Sequence, residues 1–267
     1  MTGDLEFVTE TRAGGSALLR RDLVEVDAAL LWSPGEPLSG ARGRGGAAVV
    51  ELRPGVRGVV RDYRRGGGAA RLLSLRYFDP RRPARELRVL SALQKLGVPV
   101  VAPLAALVKR LPPLGFRLRL ITELIEGAEP LPAFVARNPE LRHSAVREAG
   151  RVVGMAFGAG LRHPDLHPDN LIARCRDGQV EVVLLDLDRA TLGGPLESAT
   201  RDRMLVRMAR YLHRHAATLA CTPTWTDRLR FLGAMGWSRA ERRAVWSRVT
   251  PLLLRQLARR GLQIGSR

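Results

Sequence analysis

Three polar side chains that could take part in phosphoryl transfer lie within one stretch of the chain, 161–188. Asp165 is followed five positions later by Asn170, and an apolar run at 180–185 ends at Asp186. Transfer of a phosphoryl group from ATP needs a carboxylate that accepts the proton of the attacking hydroxyl, together with an amide and a carboxylate that hold magnesium on the phosphates. The stretch therefore contains the residue types that this reaction requires.

A β-hairpin is predicted to bring these side chains together. Two apolar runs, 171–173 and 180–185, are separated by Asp177-Gly178, a pair that tolerates the positive backbone dihedrals of a tight turn. Two of the three side chains precede the first strand and the third follows the second strand, so all three are expected at one end of the hairpin. A carboxylate at the end of a buried strand is costly unless a cation meets it.

The segment HPDLHPDN resembles the H-x-D-x-x-x-x-N catalytic loop of the protein-kinase-like fold, and LLDLD stands where that superfamily has its metal-binding aspartate. The resemblance implies that Asp165 is the catalytic base and that Asn170 and Asp186 bind Mg²⁺. It also implies that His163 is a structural brace of the loop. The alternative is an acidic surface loop that has no catalytic role.

A glycine-rich loop further upstream could bind the phosphates of a nucleotide. Its four glycines at 40–46 would let the backbone approach phosphate oxygens closely. The kinase pattern G-x-G-x-x-G-x-V is met at Gly43, Gly45 and Val50, with Ala48 at the third glycine position. A glycine-rich surface turn would have the same sequence, so the loop alone is weak evidence.

The strand predicted at 56–63 carries Val59, Arg61 and Tyr63 on one face. The resemblance to kinases assigns the first two, Val59 and Arg61, to the nucleotide site and places Arg61 where kinases have a phosphate-binding lysine. The helix predicted at 83–96 has Glu86 on its apolar stripe, and a buried acid needs a partner, for which Arg61 is the candidate. A solvent-facing Arg61 and a surface Glu86 are the alternatives.

The pattern of strands and helices predicts an α+β, bilobal, protein-kinase-like fold. The first lobe is predicted as an antiparallel β-sheet of five strands with one helix, and the second as mainly helical. A linker with Gly and Pro begins at Glu123, which the resemblance assigns to the adenine-binding hinge. The predicted domains are an N-terminal extension at 1–37, a nucleotide-binding N-lobe at 38–126 and a catalytic and acceptor-binding C-lobe at 127–267.

Composition limits the class of protein. The chain has 267 residues, 45% of them hydrophobic, and is too apolar for a disordered protein. Its two cysteines, Cys175 and Cys221, argue against a disulfide scaffold and for a reducing compartment. The N-terminus lacks the apolar core of a secretory signal, and the most apolar segment, 98–108, is short and contains proline. We therefore expect a cytoplasmic protein.

The formal net charge of +18 favours polyanionic partners: nucleic acid, anionic lipid headgroups or phosphorylated glycolipids. An arginine-rich bias of a GC-rich genome would give the same charge, so both interpretations stay open. An amphipathic helix predicted at 196–217 carries an arginine stripe that either faces solvent or meets an anionic acceptor or membrane. The stripe consists of Arg203, Arg207, Arg210 and Arg214.

Residues 38–215 as a whole resemble the bacterial lipopolysaccharide kinases, most closely the 3-deoxy-D-manno-octulosonic acid (Kdo) kinases. The similarity lies in segments such as VVRDYRRGGG, LITELIEGAEPL and LLDLDRA. It implies an enzyme that uses ATP and Mg²⁺ to phosphorylate a sugar hydroxyl of a Kdo-containing lipid A acceptor. It also implies peripheral association with the anionic cytoplasmic face of the inner membrane, and nucleic acid is not expected as a partner. The family more usually has Phe at the position of Leu187.

Other functions fit the same motifs. HPDLHPDN is also similar to the loop of aminoglycoside and other small-molecule phosphotransferases, and a heptose kinase would keep the family and change the acceptor. A kinase-like binding protein without activity is the alternative outside the enzymes. An arginine-rich surface would repel a polycationic aminoglycoside, so the sequence favours an acidic acceptor.

Overall fold

The computed structural model of the chain describes residues 6–12, 14–38, 47–64, 75–216, 223–259 and 261. The chain divides into two compact units, of which the first comprises Met1–Lys95 with Val101–Glu126 and the second Leu96–Val100 with Gly127–Arg267. The first unit is an antiparallel sheet with a helix packed on it, and the second is mainly helical. The predicted α+β fold class is confirmed.

Seven strands in the described part of the first unit form one antiparallel sheet, in the order β1-β2-β6-β7-β5-β4-β3. The strands are β1 (Phe7–Arg12), β2 (Gly15–Arg20), β3 (Glu36–Pro37), β4 (Ala48–Arg53), β5 (Val56–Asp62), β6 (Pro103–Arg110) and β7 (Phe116–Glu123). A short helix, α1 (Ala28–Leu31), precedes β3, and α2 (Arg82–Lys95) packs on β6 and β7. Leu87, Leu90 and Leu93 form the buried stripe of α2.

The prediction of five strands is wrong, because residues assigned to an N-terminal extension supply β1, β2 and β3. A buried arginine of β7 explains why this segment joins the sheet. Arg119 donates through Nη1 to the carbonyl oxygens of Leu31 (2.9 Å) and Ser33 (2.7 Å) and through Nε to Asp62 Oδ1 (2.8 Å). The N-terminal segment thus satisfies donors that burial would otherwise leave unpaired.

The strand predicted at 98–108 lies five residues further along, because its first part belongs to the other unit. Val100 forms a parallel bridge with Leu184, and the Leu184 amide donates to the Pro99 carbonyl at 2.9 Å. Residues from Pro103 onward pair with β2 and β7 as β6. The apolar character of 98–108 alone does not show that its first residues pair in the second unit and its later residues pair with β2 and β7.

Helices form most of the second unit. They are α3 (Leu131–Arg137), α4 (Arg142–Gly158), α5 (Ser198–Arg214), α6 (Trp225–Ala234) and α7 (Arg239–Ala258). Short strands accompany them as β8 (Glu129–Pro130), β9 (Leu161–Arg162), β10 (Leu171–Arg176), β11 (Gln179–Leu184) and β12 (Thr191–Leu192). Gly150 of α4 allows close packing on α6, since a Cβ there would lie 2.2 Å from the Phe231 carbonyl oxygen. Among the described residues, no helix has the length and apolarity needed to cross a membrane.

Candidate active site

The predicted hairpin is present in the second unit and ends at the predicted site residues. β10 pairs with β11 in antiparallel register, with Leu171 opposite Leu184. The turn uses Asp177 and Gly178 with φ of 51° and 75°, as the sequence predicts. Beyond the paired strands, the amide of Leu185 donates to the Asn170 carbonyl at 2.8 Å. Residues 170 and 186 are therefore held at the same end of the hairpin.

His163 connects the loop that carries Asp165 to the end of β11. The ring accepts a hydrogen bond at Nδ1 from the Asp165 amide (3.0 Å), so Nε2 carries the proton and donates to the Asp186 carbonyl (2.8 Å). The imidazole is 4% exposed, and burial lowers its pKa although that carbonyl and nearby carboxylates act in the opposite direction. A neutral ring is the form that can make both bonds, so the predicted brace is present in the geometry.

Asn170 ends a 3₁₀ turn at Pro168–Asn170 and is 3% exposed. Its Oδ1 accepts from the His167 amide at 3.0 Å, and its Nδ2 lies 3.4 Å from the Asp186 carbonyl oxygen. The side chain thus bridges the start of the turn and the end of β11. This bridge fixes the amide group beside the backbone of Asp186.

Asp186 has a left-handed backbone conformation, with φ of 55°. A residue with a Cβ pays on the order of 1 kcal/mol for this conformation, and Asp tolerates it better than most. The next residue, Leu187, is fully buried, and Arg189 also has a positive φ of 59°. The chain turns sharply at Asp186 because its carbonyl is held by His163 while the following leucine enters the core.

Asp165 lies on the exposed side of the same loop. Its side chain is 73% exposed, and Oδ1 accepts a hydrogen bond from Nη1 of Arg207 at 3.1 Å. The neighbouring Leu166 is 1% exposed and anchors the loop in the core. The carboxylate of Asp165 therefore faces solvent, while the buried side chain of Leu166 fixes the backbone of the loop.

The predicted contact of Arg61 with Glu86 is present in the first unit. Nη2 of Arg61 donates to both carboxylate oxygens of Glu86, at 2.5 and 2.6 Å. The Glu86 side chain is 1% exposed and that of Arg61 is 30% exposed. One end of this ion pair is therefore fixed in the core and the other reaches the surface.

Tyr63 is a part of this cluster that sequence reasoning did not assign to it. Its hydroxyl donates to Glu86 Oε2 at 2.5 Å, and its ring lies under the guanidinium groups of Arg61 (4.9 Å) and Arg82 (5.1 Å). The strand predicted at 56–63 has residues 59, 61 and 63 on one face, and this periodicity is the signal that could have identified the tyrosine.

The other predicted nucleotide-site residues lie in the sheet of the first unit or outside the described residues. Val50 in β4 is buried and Val59 in β5 is partly buried. Glu123 ends β7 with an exposed side chain, and its amide donates to the Ala102 carbonyl at 2.8 Å. Gly43 and Gly45 lie outside the described residues, so their predicted role stays a prediction.

Helix α5 contacts the loop at 163–170 at three successive turns, which sequence reasoning did not foresee. Met204 Sδ lies 3.4 Å from the His163 amide, and Arg207 meets Asp165 as described above. One turn further, the Tyr211 hydroxyl donates to Asp169 Oδ2 at 2.6 Å, and its ring stacks on the imidazole of residue 167. The spacing of residues 204, 207 and 211 places them on one face of the helix.

The side chains at the end of the hairpin fit a magnesium ion. Asn170 and Asp186 supply amide and carboxylate oxygens, which are the donors that Mg²⁺ prefers. The described residues contain no group of three His, Cys, Asp or Glu that could hold a metal ion by itself. Mg²⁺ at phosphoryl-transfer sites commonly takes one or two protein ligands, with waters and substrate phosphates completing its coordination. Two protein ligands agree with that pattern.

Comparison with known proteins gives consistent matches. Residues 29–234 match the model of the lipopolysaccharide kinase (Kdo/WaaP) family. A protein named 3-deoxy-D-manno-octulosonic acid kinase from Stenotrophomonas maltophilia (strain R551-3) is 33% identical over 250 residues, which are 88% of this chain and 96% of that protein. A protein of the same name from Xanthomonas campestris pv. campestris (strain B100) is 35% identical over 214 residues, 76% of this chain and 82% of that protein.

The fold also has a counterpart among solved structures. A structure described as WaaP in complex with acyl carrier protein aligns with a TM-score of 0.57 at 18% identity, over 85% of this chain and 89% of that chain. At this identity the match supports the fold alone.

Proposed function

The chain belongs to the lipopolysaccharide kinase (Kdo/WaaP) family and is an ATP-dependent sugar kinase, and from this premise we propose that its acceptor is a hydroxyl of Kdo on a lipid A precursor. The observation that supports this acceptor most directly is the name shared by relatives that are about one-third identical over most of their length. The arginine-rich composition agrees with it, because Kdo carries a carboxylate and lipid A carries phosphates.

In the proposed reaction, Asp165 accepts the proton of the attacking hydroxyl. The carboxylate is exposed to an incoming sugar, while the hydrogen bond from its own amide to His163 keeps the loop in place. A base must lie within hydrogen-bond distance of the proton that it removes, and the fixed backbone favours such an approach. His163 is a positioning residue in this scheme.

Asn170 and Asp186 are the residues that would hold magnesium. Bound there with ATP, the ion would neutralise charge on the phosphates and orient them for transfer. The protein contributes the placement of the two ligands, because the Asn170 amide nitrogen and His163 Nε2 both contact the carbonyl of Asp186.

We assign Arg61 to the phosphates of ATP, with Glu86 and Tyr63 as its positioning residues. Glu86 is buried and accepts from Nη2 of Arg61 with both carboxylate oxygens, while the arginine side chain stays 30% exposed and can meet an incoming phosphate. We propose the same nucleotide site for Gly43, Gly45, Val50, Val59 and Glu123. This corresponds to a nucleotide-binding lobe at 38–126 and an acceptor-binding lobe at 127–267.

The proposed acceptor also suggests where the enzyme acts. A lipid A precursor is anchored in a membrane, so the kinase must meet it at the membrane surface. We propose peripheral association with the cytoplasmic face, where anionic lipids attract basic proteins.

An acceptor screen tests the proposed function. The full-length protein is incubated with ATP and Mg²⁺ and with four acceptors in parallel: a Kdo-bearing lipid A precursor, a heptosylated core, an aminoglycoside and a generic protein. Mass spectrometry should detect one added phosphate on the Kdo-bearing lipid. Phosphate on the heptosylated core alone would agree with the family but would show that the acceptor is a heptose and not Kdo. Phosphate on the aminoglycoside or protein and never on a glycolipid would contradict the proposal.

A further inference from the structure

Arg207 has an unusual position among the four arginines of the stripe on α5. Arg203 donates to the Ala199 carbonyl and the Thr200 hydroxyl of its own helix, and Arg210 donates to Gln256 of α7. Arg207 instead contacts the catalytic loop, at Asp165 Oδ1. The sequence predicts an arginine stripe, and in the structure Arg207 differs from Arg203 and Arg210 in the partner that it contacts.

The contact between Arg207 and Asp165 does little for the fold. The two side chains are 43% and 73% exposed, and exposed ion pairs stabilise proteins only weakly. The helix is already held by Asp202, which accepts from Arg248 Nε of α7 at 2.6 Å, and by the bond from Tyr211 to Asp169. Stability therefore does not explain why a cation lies beside this carboxylate.

We propose that Arg207 binds the carboxylate of the acceptor sugar beside Asp165, which makes it a specificity-determining residue. This inference rests on the proposed function. A guanidinium has five N–H donors, and the contact with Asp165 uses one of them, so others can bind an anion through charge-assisted hydrogen bonds. The acceptor hydroxyl must reach Asp165, and a sugar acid bound there brings its own carboxylate close to the base.

The position of Arg207 indicates that its ligand is the acceptor rather than the nucleotide. The residues assigned to the metal and phosphates are positioned by other groups, because His163 Nε2 and Asn170 Nδ2 both contact the carbonyl oxygen of Asp186. Arg207 instead donates a hydrogen bond to Asp165, the residue assigned to the acceptor hydroxyl. The anion could be the carboxylate of the sugar or a phosphate of the lipid, and the carboxylate is the group nearest to the reacting sugar hydroxyl.

A comparison of modified acceptors tests this assignment. Three acceptors are assayed at saturating ATP: the Kdo-bearing lipid A precursor, the same lipid with its Kdo carboxylate converted to the carboxamide, and the same lipid without its phosphates. The wild type should prefer the carboxylate over the carboxamide by about 10- to 100-fold in kcat/KM, as expected for a hydrogen bond to a charged group. Arg207→Ala should reduce this preference to roughly twofold or less, mainly by raising KM for the carboxylate.

Arg203→Ala is the matched control, because it removes an exposed arginine one turn away on the same helix. It should keep the wild-type preference. Arg207→Lys keeps the charge and should retain part of the preference, and both Arg207 variants should melt within roughly 3 °C of the wild type.

The results distinguish a failure of the inference from a failure of the proposed function. If wild type and Arg207→Ala discriminate the carboxamide equally, or if the wild type does not discriminate at all, the inference is wrong and the proposed function stands. If Arg207→Ala instead loses its response to the lipid phosphates, or if a separate ATP titration shows that it raises only the KM for ATP, the anion is a phosphate and the carboxylate assignment is wrong. If the wild type phosphorylates none of the three acceptors, the proposed function fails and the inference fails with it.

Discussion

The same pair of residue types occurs in both units of the molecule, with opposite surroundings. Asp62 and Arg119 in the first unit have side chains that are 13% and 1% exposed, whereas Asp165 and Arg207 in the second are 73% and 43% exposed. The buried arginine also donates to two main-chain carbonyls, while the exposed arginine donates to the carboxylate of Asp165. Burial with several partners indicates a structural pair, and exposure beside a fixed loop indicates a functional one.

Electrostatics support the structural role of the buried pair. Burial alone would raise the pKa of Asp62, but hydrogen bonds from Arg119 and Arg117 outweigh it, so the pKa is lower than usual. The charged form is therefore the one that the fold stabilises. This contribution to stability is present above pH of about 3.9 and is lost as the pH falls through the lower pKa of the folded state.

Removal of the buried carboxylate should have the largest effect on stability. Asp62→Ala should lower the free energy of unfolding by about 3–5 kcal/mol, because it leaves a buried guanidinium without its counter-ion. Urea unfolding of the full-length protein measures this change. Glu126→Ala is the control, since Glu126 pairs with Arg57 on the exposed surface of the same unit and should cost less than about 1 kcal/mol. Equal losses for the two variants would remove the distinction between buried and exposed pairs.

A buried histidine beside an arginine gives a second buried pair, in this case without a carboxylate. His213 is 5% exposed and contacts the guanidinium of Arg228. Burial first, and then the charge of Arg228, lower the pKa of His213 to about 4. The unfolded chain therefore binds this proton more readily, and stability should fall as the pH drops from about 6.5 towards 4.

The expected loss from His213 over that range is on the order of 2 kcal/mol, measured by urea unfolding at several pH values. His213→Gln removes the titrating group and serves as the reference. The difference in unfolding free energy between wild type and variant should change steadily across the range. A difference that is independent of pH would contradict the neutral, buried histidine.

The sequence predicted features that depend on local chemistry and on motif spacing. The turn at Asp177 and Gly178 has the predicted backbone conformation. The family prediction is confirmed by the matches to known proteins. Arg61 meets Glu86 as expected, because a buried acid on an apolar helix stripe needs a cation.

Features that depend on long-range pairing were missed. β1 and β2 are six residues each, and β2 is held by pairing with β6, nearly ninety positions away in the chain. The contact of Arg207 with Asp165 joins residues 42 positions apart, which a helical stripe cannot reveal. Periodicity identifies which face of an element is apolar or basic, and tertiary packing decides what that face meets.

Arg61, whose side chain is 30% exposed, lies between the buried Arg119 and the exposed Arg207, and its substitution should have a smaller effect. Arg61→Lys should raise the dissociation constant for ATP by roughly 5- to 10-fold, because an ammonium cannot bridge phosphate and carboxylate as a planar fork does. Isothermal titration calorimetry with ATP and Mg²⁺ measures it. Arg57→Lys, on the same strand but exposed, should leave affinity unchanged. Unchanged affinity for Arg61→Lys would count against its assignment to the phosphates.

The central claim is that the exposed carboxylate of Asp165, held by a buried loop, is the base of phosphoryl transfer. The most direct test compares the rate of phosphate transfer to a Kdo-bearing lipid A precursor by wild type and by Asp165→Asn. The account predicts a loss of about 10²- to 10⁴-fold in kcat, with ATP affinity and melting temperature close to those of the wild type. Wild-type turnover by Asp165→Asn would contradict it.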